Sequence, residues 1–173
     1  MVNSFSLKNS KMITFKISKS EQDFSEARKL FLEYKDSLNL DLCFQKFHEE
    51  ISDLSAQYSE PSGCIIICYK KNLPVGCVGI RKFKGDVCEM KRLYLRPEAR
   101  GKGIGRVLAN KITEKAKEFG YKKMQLDTLE TMKEAISLYK SIGFKEISPY
   151  RFNPLEGVIY MEIELEQKLK AGS

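Results

Sequence analysis

The residues most able to do chemistry together are Arg100-Gly101-Lys102-Gly103-Ile104-Gly105, three glycines at alternate positions with two cations among them. The strand-like run 87–95 ends just before them, and a helical periodicity starts near Ile104. The first N–H groups of a helix have no internal partner, the helix dipole is positive there, and glycines let an anion approach the backbone closely. This junction can therefore hold a phosphate, with Arg100, Lys102 and Arg106 adding formal charge around it. Spacing separates the known phosphate loops. A dinucleotide fingerprint needs a third glycine two residues beyond the Gly101/Gly103 pair, where Arg106 stands, and the G-x-x-x-x-G-K-[ST] octet occurs nowhere.

The surrounding elements must present that junction. Ser20-Glu21-Gln22-Asp23 reads as a capping box ahead of Phe24, Ala27, Phe31, Tyr34 and Leu38 at helical spacing. Phe44, Phe47, Ile51 and Leu54 predict a second helix, ended by Pro61-Ser62-Gly63. Strands are expected at 12–17, 64–69, 75–83 and 87–95, the last three joined by connections short enough for an antiparallel meander. Ile104, Val107, Leu108, Ile112 and Phe119 then share one helix face, with Gly120 as its stop. The remainder reads as a strand at 123–128, a helix carrying Ala135, Leu138, Tyr139 and Ile142, and strands near 144–147 and 158–165. The fold class this predicts is α+β: a mixed, mostly antiparallel sheet of about seven strands flanked by about four helices.

At 173 residues the chain suits one domain, expected over 12–166, with a flexible segment at 1–11 and a tail at 167–173. No apolar stretch is long enough for a membrane helix, and the polar start lacks a secretory core, so a cytoplasmic protein is expected. The five cysteines form no CxxC pair and read as reduced core residues. With a single histidine, His48, expected on an exposed helix face, a metal site is not predicted. The formal net charge is +7, and residues 84–123, with twelve Lys/Arg against five Asp/Glu, carry the equivalent of all of it. That concentration suits a polyanionic ligand; no reader motif points to nucleic acid.

Arg100, Gly103 and Gly105 fit R/Q-x-x-G-x-G/A, and about 30 residues later comes Ala135-Ile136-Ser137-Leu138-Tyr139-Lys140-Ser141-Ile142-Gly143-Phe144. With the order of elements, these two motifs make the chain resemble, from about Ile13 to Leu165, the GNAT superfamily of acetyl-CoA-dependent N-acetyltransferases. Glu89-Met90-Lys91-Arg92-Leu93-Tyr94-Leu95-Arg96-Pro97 and Pro149-Tyr150-Arg151-Phe152-Asn153-Pro154 look like a small bacterial branch of it.

The resemblance implies transfer of acetyl from acetyl-CoA to a primary amine through a ternary complex. Leu93, Tyr94 and Leu95 would pair with the pantetheine arm, and Arg100, Gly101, Lys102, Gly103, Ile104, Gly105 and Arg106 would cradle the pyrophosphate. Met132 stands where many relatives have Asn in N-x-x-A, while Ala135 is retained. Glu89, eleven residues ahead of Arg100, falls where the family's catalytic base can be placed, and Tyr139 matches the tyrosine that protonates the departing thiolate. The alternatives are an ion pair of Glu89 with Lys91 or Arg81, and a core role for Tyr139. On the acceptor side the expectation is Tyr150, whereas Asp127, Thr128 and Phe152 read as a cap and loop packing. A base is needed because freeing an amine of pKa about 10.4 from its proton at pH 7 costs about 4.6 kcal/mol. The competing reading is a non-catalytic acyl-CoA sensor on the same fold. The family also contains many homodimers, so a dimer is an expected partner state.

Overall fold

The computed structural model describes residues 12–40 and 46–166; the expected flexible start, the C-terminal tail and Phe44 lie outside them. Seven strands form one sheet: β1 (Ile13–Ile17), β2 (Cys64–Lys70), β3 (Leu73–Lys84), β4 (Val87–Leu95), β5 (Lys123–Leu129), β6 (Lys145–Ile147) and β7 (Val158–Glu164). Their order is β1-β2-β3-β4-β5-β7-β6. Every neighbouring pair is antiparallel except β4 and β5. That parallel pair requires a crossover, which the helix α4 (Ile104–Glu118) supplies.

Helices cover both faces. On one lie α1 (Glu21–Leu38), α2 (Phe47–Ser52) and α3 (Leu54–Gln57); α4 and α5 (Lys133–Ser141) cover the other. β2 shows why its apolar run is continuous: Ile65 and Ile67 pack with Leu30, Phe31 and Tyr58, while Cys64, Ile66 and Cys68 pack with Leu108 and Ile112. A strand buried on both faces needs no polar alternation. The capping box at α1 is present, with the Ser20 hydroxyl accepting from the Asp23 N–H at 3.1 Å and the Asp23 carboxylate accepting from the Ser20 N–H at 3.0 Å.

Two expectations are corrected. The second helix is not one stripe: it breaks at Asp53, whose carboxylate accepts the Ala56 N–H at 3.1 Å and so starts α3 afresh. Val107, placed with the apolar face of α4, is 37% exposed because the packed stripe runs through Ile104, Leu108, Ile112 and Ala116 instead.

Along β4, Cys88 and Met90 belong to the α4 side, which turns Glu89 and Lys91 towards α1–α3. Beyond them the ladder slips. Gly79 pairs with Lys91 but Cys77 with Tyr94, so Arg92 and Leu93 stand opposite Val78 alone, and Arg92 takes φ +58°. This bulge turns the Arg92 side chain to the α1–α3 face as well, where it meets Glu50.

Candidate active site

After Leu95 a single 3-10 turn, Pro97–Ala99, leads into the glycine run. Gly101 and Gly103 have φ of +73° and +77°, and a Cβ on either would meet nothing within 4 Å. Backbone conformation, not crowding, therefore selects glycine there. Gly103 is the N-cap of α4 and supplies no side-chain acceptor, so no cap side chain satisfies the first N–H groups of the helix. Arg100, Lys102 and Arg106 are exposed around them. Arg100 Nε and Lys102 Nζ donate at 3.0 Å to the carbonyls of Leu95 and Glu98, which leaves both cations without a carboxylate partner among the described residues. This is an anion cradle of the kind a pyrophosphate fits.

Beside the cradle the sheet opens. β4 and β5 pair only through Val87, Cys88 and Glu89 with Lys123, Met124 and Gln125, and then separate. The β5-facing edge of Leu93, Tyr94 and Leu95 is left unpaired, as an extended ligand arm requires. A cleft lies in the gap, lined by Met90, Lys91 and Arg92 from β4, Asp127, Thr128 and Leu129 from β5, Tyr34 and Leu38 from α1, and Met132, Asn153 and Leu155. The expectation that Asp127 and Thr128 serve as a cap is corrected: the N-cap of α5 is Met132, and both residues line the cleft. Met132 itself accepts a hydrogen bond on its sulfur from Thr128 at 3.6 Å, and Ala135 packs half-buried against the core.

Glu89 sits where the strands part, completely buried and absent from the cleft wall. Its Oε1 faces Arg151 at 2.9 Å, Arg81 at 3.5 Å and Lys91 at 3.7 Å, and its Oε2 accepts from the Tyr150 hydroxyl at 2.7 Å. The ion-pair alternative for Glu89 is thus what the side chain does. A carboxylate with donors on both oxygens and no place in the cleft wall would reach an acceptor's proton through an intermediary such as a water. Tyr150, expected on the acceptor side, spends its hydroxyl on Glu89 and its ring on Phe83 and Tyr160. Phe152 is 85% exposed.

Tyr139 is buried on α5, its ring centroid 5.7 Å from that of Phe144. Burial pushes its phenol above the ordinary range, which keeps it protonated at neutral pH. His48 is exposed, and the described cysteines, Cys64, Cys68, Cys77 and Cys88, are buried free thiols.

The sequence reading missed the charged wall of the cleft. Glu50 on α2 accepts from Arg92 at 2.7 Å and from the Tyr58 hydroxyl at 2.5 Å, all three buried. Burial would raise the Glu50 carboxyl, but Arg92 holds it below the usual range. Lys91 is different. Its side chain is 2% exposed, its nearest carboxylate is Glu89 at 3.7 Å, and it makes no hydrogen bond among the described residues. Burial, with Arg92 and Arg81 acting the same way against Glu89 and Asp127, brings its ammonium down to about 8. Alternation along β4 was the available signal for Lys91; the bulge that brings in Arg92 left none.

Residues 24–144 match the model of the acetyltransferase (GNAT) family. The chain belongs to the GNAT acetyltransferase family. An uncharacterized N-acetyltransferase of Schizosaccharomyces pombe is 38% identical over 90% of this chain and 96% of its own length. Among solved structures, a GNAT-family acetyltransferase from Staphylococcus aureus superposes with a TM-score of 0.72 at 18% identity, over 88% of this chain and 99% of that one. A Salmonella typhimurium acetyltransferase solved with acetyl-CoA gives 0.64 at 17% identity, over 90% and 95%. Acetyl-CoA is the cosubstrate of such GNAT neighbours, and the cradle and the parted strands of this GNAT chain suit it.

Proposed function

We propose that this GNAT enzyme acetylates a primary amine directly in a ternary complex, with the amine in the cleft on the α1–α3 side of the parted strands. The observation that carries the reading is the contiguity of the uncapped glycine cradle, the gap between β4 and β5, and the polar cleft. When bound, acetyl-CoA supplies an acetyl thioester and leaves as the thiol.

The backbone from Arg100 to Arg106 would hold the pyrophosphate, and Leu93, Tyr94 and Leu95 the pantetheine, with Met132 and Ala135 as further cosubstrate contacts. The amine must shed its proton, at a cost of about 4.6 kcal/mol for a pKa of about 10.4 at pH 7. The carboxylate that lines the cleft is Asp127. Its Oδ2 accepts from Asn153 at 3.1 Å, and no other donor among the described residues holds it. Asp127, directly or through a water, takes the place expected of Glu89; Glu89 fixes Lys91, Arg81, Arg151 and Tyr150. The family resemblance gives the leaving sulfur's proton to Tyr139, whose phenol burial keeps protonated and which, like Glu89, stands behind the cleft wall and not in it. Placing amine and thioester side by side is worth about 7 to 11 kcal/mol where alignment is good.

The test is twofold: titrate acetyl-CoA by calorimetry, and follow CoA release across a panel of amines. Saturable binding with release from a subset of amines is expected. Binding without release from any amine would leave the sensor reading in its place, and absence of binding at near-millimolar acetyl-CoA would overturn both.

A further inference from the structure

Among the charged groups at the cleft, cations outnumber carboxylates, and one cation is poorly matched. Arg92 is spent on Glu50 at 2.7 Å. Glu89 must serve Arg151, Arg81 and Lys91 at once, and Lys91 comes last at 3.7 Å. The Lys91 side chain is 2% exposed yet forms part of the cleft wall, its nearest carboxylate stands at 3.7 Å, and no hydrogen bond among the described residues engages its ammonium, which therefore has donors to offer an acceptor in the cleft. Across the gap, Asp127 presents the opposite charge from β5.

Resting on the acetyl-transfer reading above, we infer that the acceptor is an amine that also carries a carboxylate, an amino acid or close relative, with its carboxylate on Lys91 and its amine at Asp127. The two poles of such a molecule match the two poles of the cleft wall. A strongly cationic acceptor, such as a polyamine, would bring further positive charge beside Lys91 and Arg92. A carboxylate bound there makes charge-assisted hydrogen bonds with the ammonium that Glu89 is too distant to make. Lys91 is thus a specificity-determining residue.

The experiment compares the free amino acids with their α-carboxamides and with carboxyl-free amines in the CoA-release assay. Calorimetry of the same compounds is run beside it on protein saturated with CoA, which needs no turnover. The carboxamide's amine is less basic and so more often neutral, which favours it chemically; a preference for the acid must come from the site. Wild type is expected to favour at least one acid over its amide by about 10- to 100-fold in kcat/KM and in Kd, the range of a hydrogen bond to a charged group. In Lys91→Met that ratio should fall to about threefold or less, with folding verified by its melting curve. A second arm, side-chain carboxylates against side-chain amides at constant α-carboxylate, shows which carboxylate Lys91 reads. Equal binding of acids and amides, no binding of either, or a preference that survives Lys91→Met overturns the inference. Acids that bind selectively through Lys91 without CoA release from any amine would uphold the carboxylate site at Lys91 and overturn the acetyl-transfer reading on which the acceptor role rests.

Discussion

Replacing Lys91 by Met should stabilise the fold while it damages acceptor selection. Burial holds the folded-state ammonium at about 8 against an ordinary 10.5. At about 1.4 kcal/mol per pH unit, keeping it charged below pH 8 costs the folded state about 3 kcal/mol. Methionine fills a similar volume without charge, and Glu89 keeps Arg151 at 2.9 Å and Arg81 at 3.5 Å. We therefore expect Lys91→Met to gain about 1 to 3 kcal/mol at pH 7, read as a rise in the urea midpoint of about 0.5 to 1.5 M. The sign with pH is fixed. Because the folded pKa lies below the unfolded one, the penalty is fully present below pH 8 and is relieved as pH rises from 8 towards 10.5. Wild type should gain on the variant across that window, until the two are nearly equal above it. Tyrosines and other lysines titrate in both proteins and cancel in the difference. A variant less stable than wild type by 1 kcal/mol at pH 7, or a gap that does not change between pH 7 and 10, would refute the picture of a cation held at a cost.

Glu89→Gln should lose about 3 kcal/mol of stability, since it leaves buried Lys91 and half-buried Arg81 and Arg151 around a neutral amide; thermal melting checks it. Asp127→Asn should lower kcat by about 100-fold or more while the acetyl-CoA Kd stays within about twofold, read by CoA release and calorimetry. Tyr139→Phe should lower kcat by about 100-fold with normal substrates, and less when the thiol leaving group is more acidic. Gly103→Ala should cost about 1 kcal/mol of stability through its φ of +77° and weaken CoA binding, both read by calorimetry with and without CoA.

What could be read from the sequence was what one element decides by itself. The glycine run announced an anion-accepting helix start, the Ser20/Asp23 box announced α1, and the apolar run 64–69 announced a strand. What could not be read depends on register between distant elements. The bulge at Arg92 exists because β3 and β4 differ by one residue in length between Cys77 and Gly79, and only that slip turns Arg92 to Glu50, 42 positions away. Glu89 was legible as a strand carboxylate; that a loop 62 positions on would deliver Arg151 to it was not. Asp127 was visible, but whether it capped a helix or faced a cleft hinged on where β5 parts from β4.

The same dependence explains where the positive charge goes. Residues 84–123 hold an excess of cations, yet carboxylates from other parts of the chain neutralise many of them: Glu50 meets Arg92, Glu33 meets Arg96, Glu60 meets Lys115 and Glu162 meets Lys123. Within the glycine run and the first turn of α4, Arg100, Lys102 and Arg106 make no ion pair among the described residues, and all three are exposed at the uncapped helix start. The fold thus pairs much of the segment's positive charge with carboxylates elsewhere and leaves three exposed cations beside the phosphate cradle. Lys91, paired loosely with Glu89 at 3.7 Å, lines the same gap between β4 and β5. Exposed cations at the cradle and a loosely paired lysine on the cleft wall suit the proposed substrates, an anionic cosubstrate and a carboxylate-bearing amine, because each then brings its own counter-charge to a separate place.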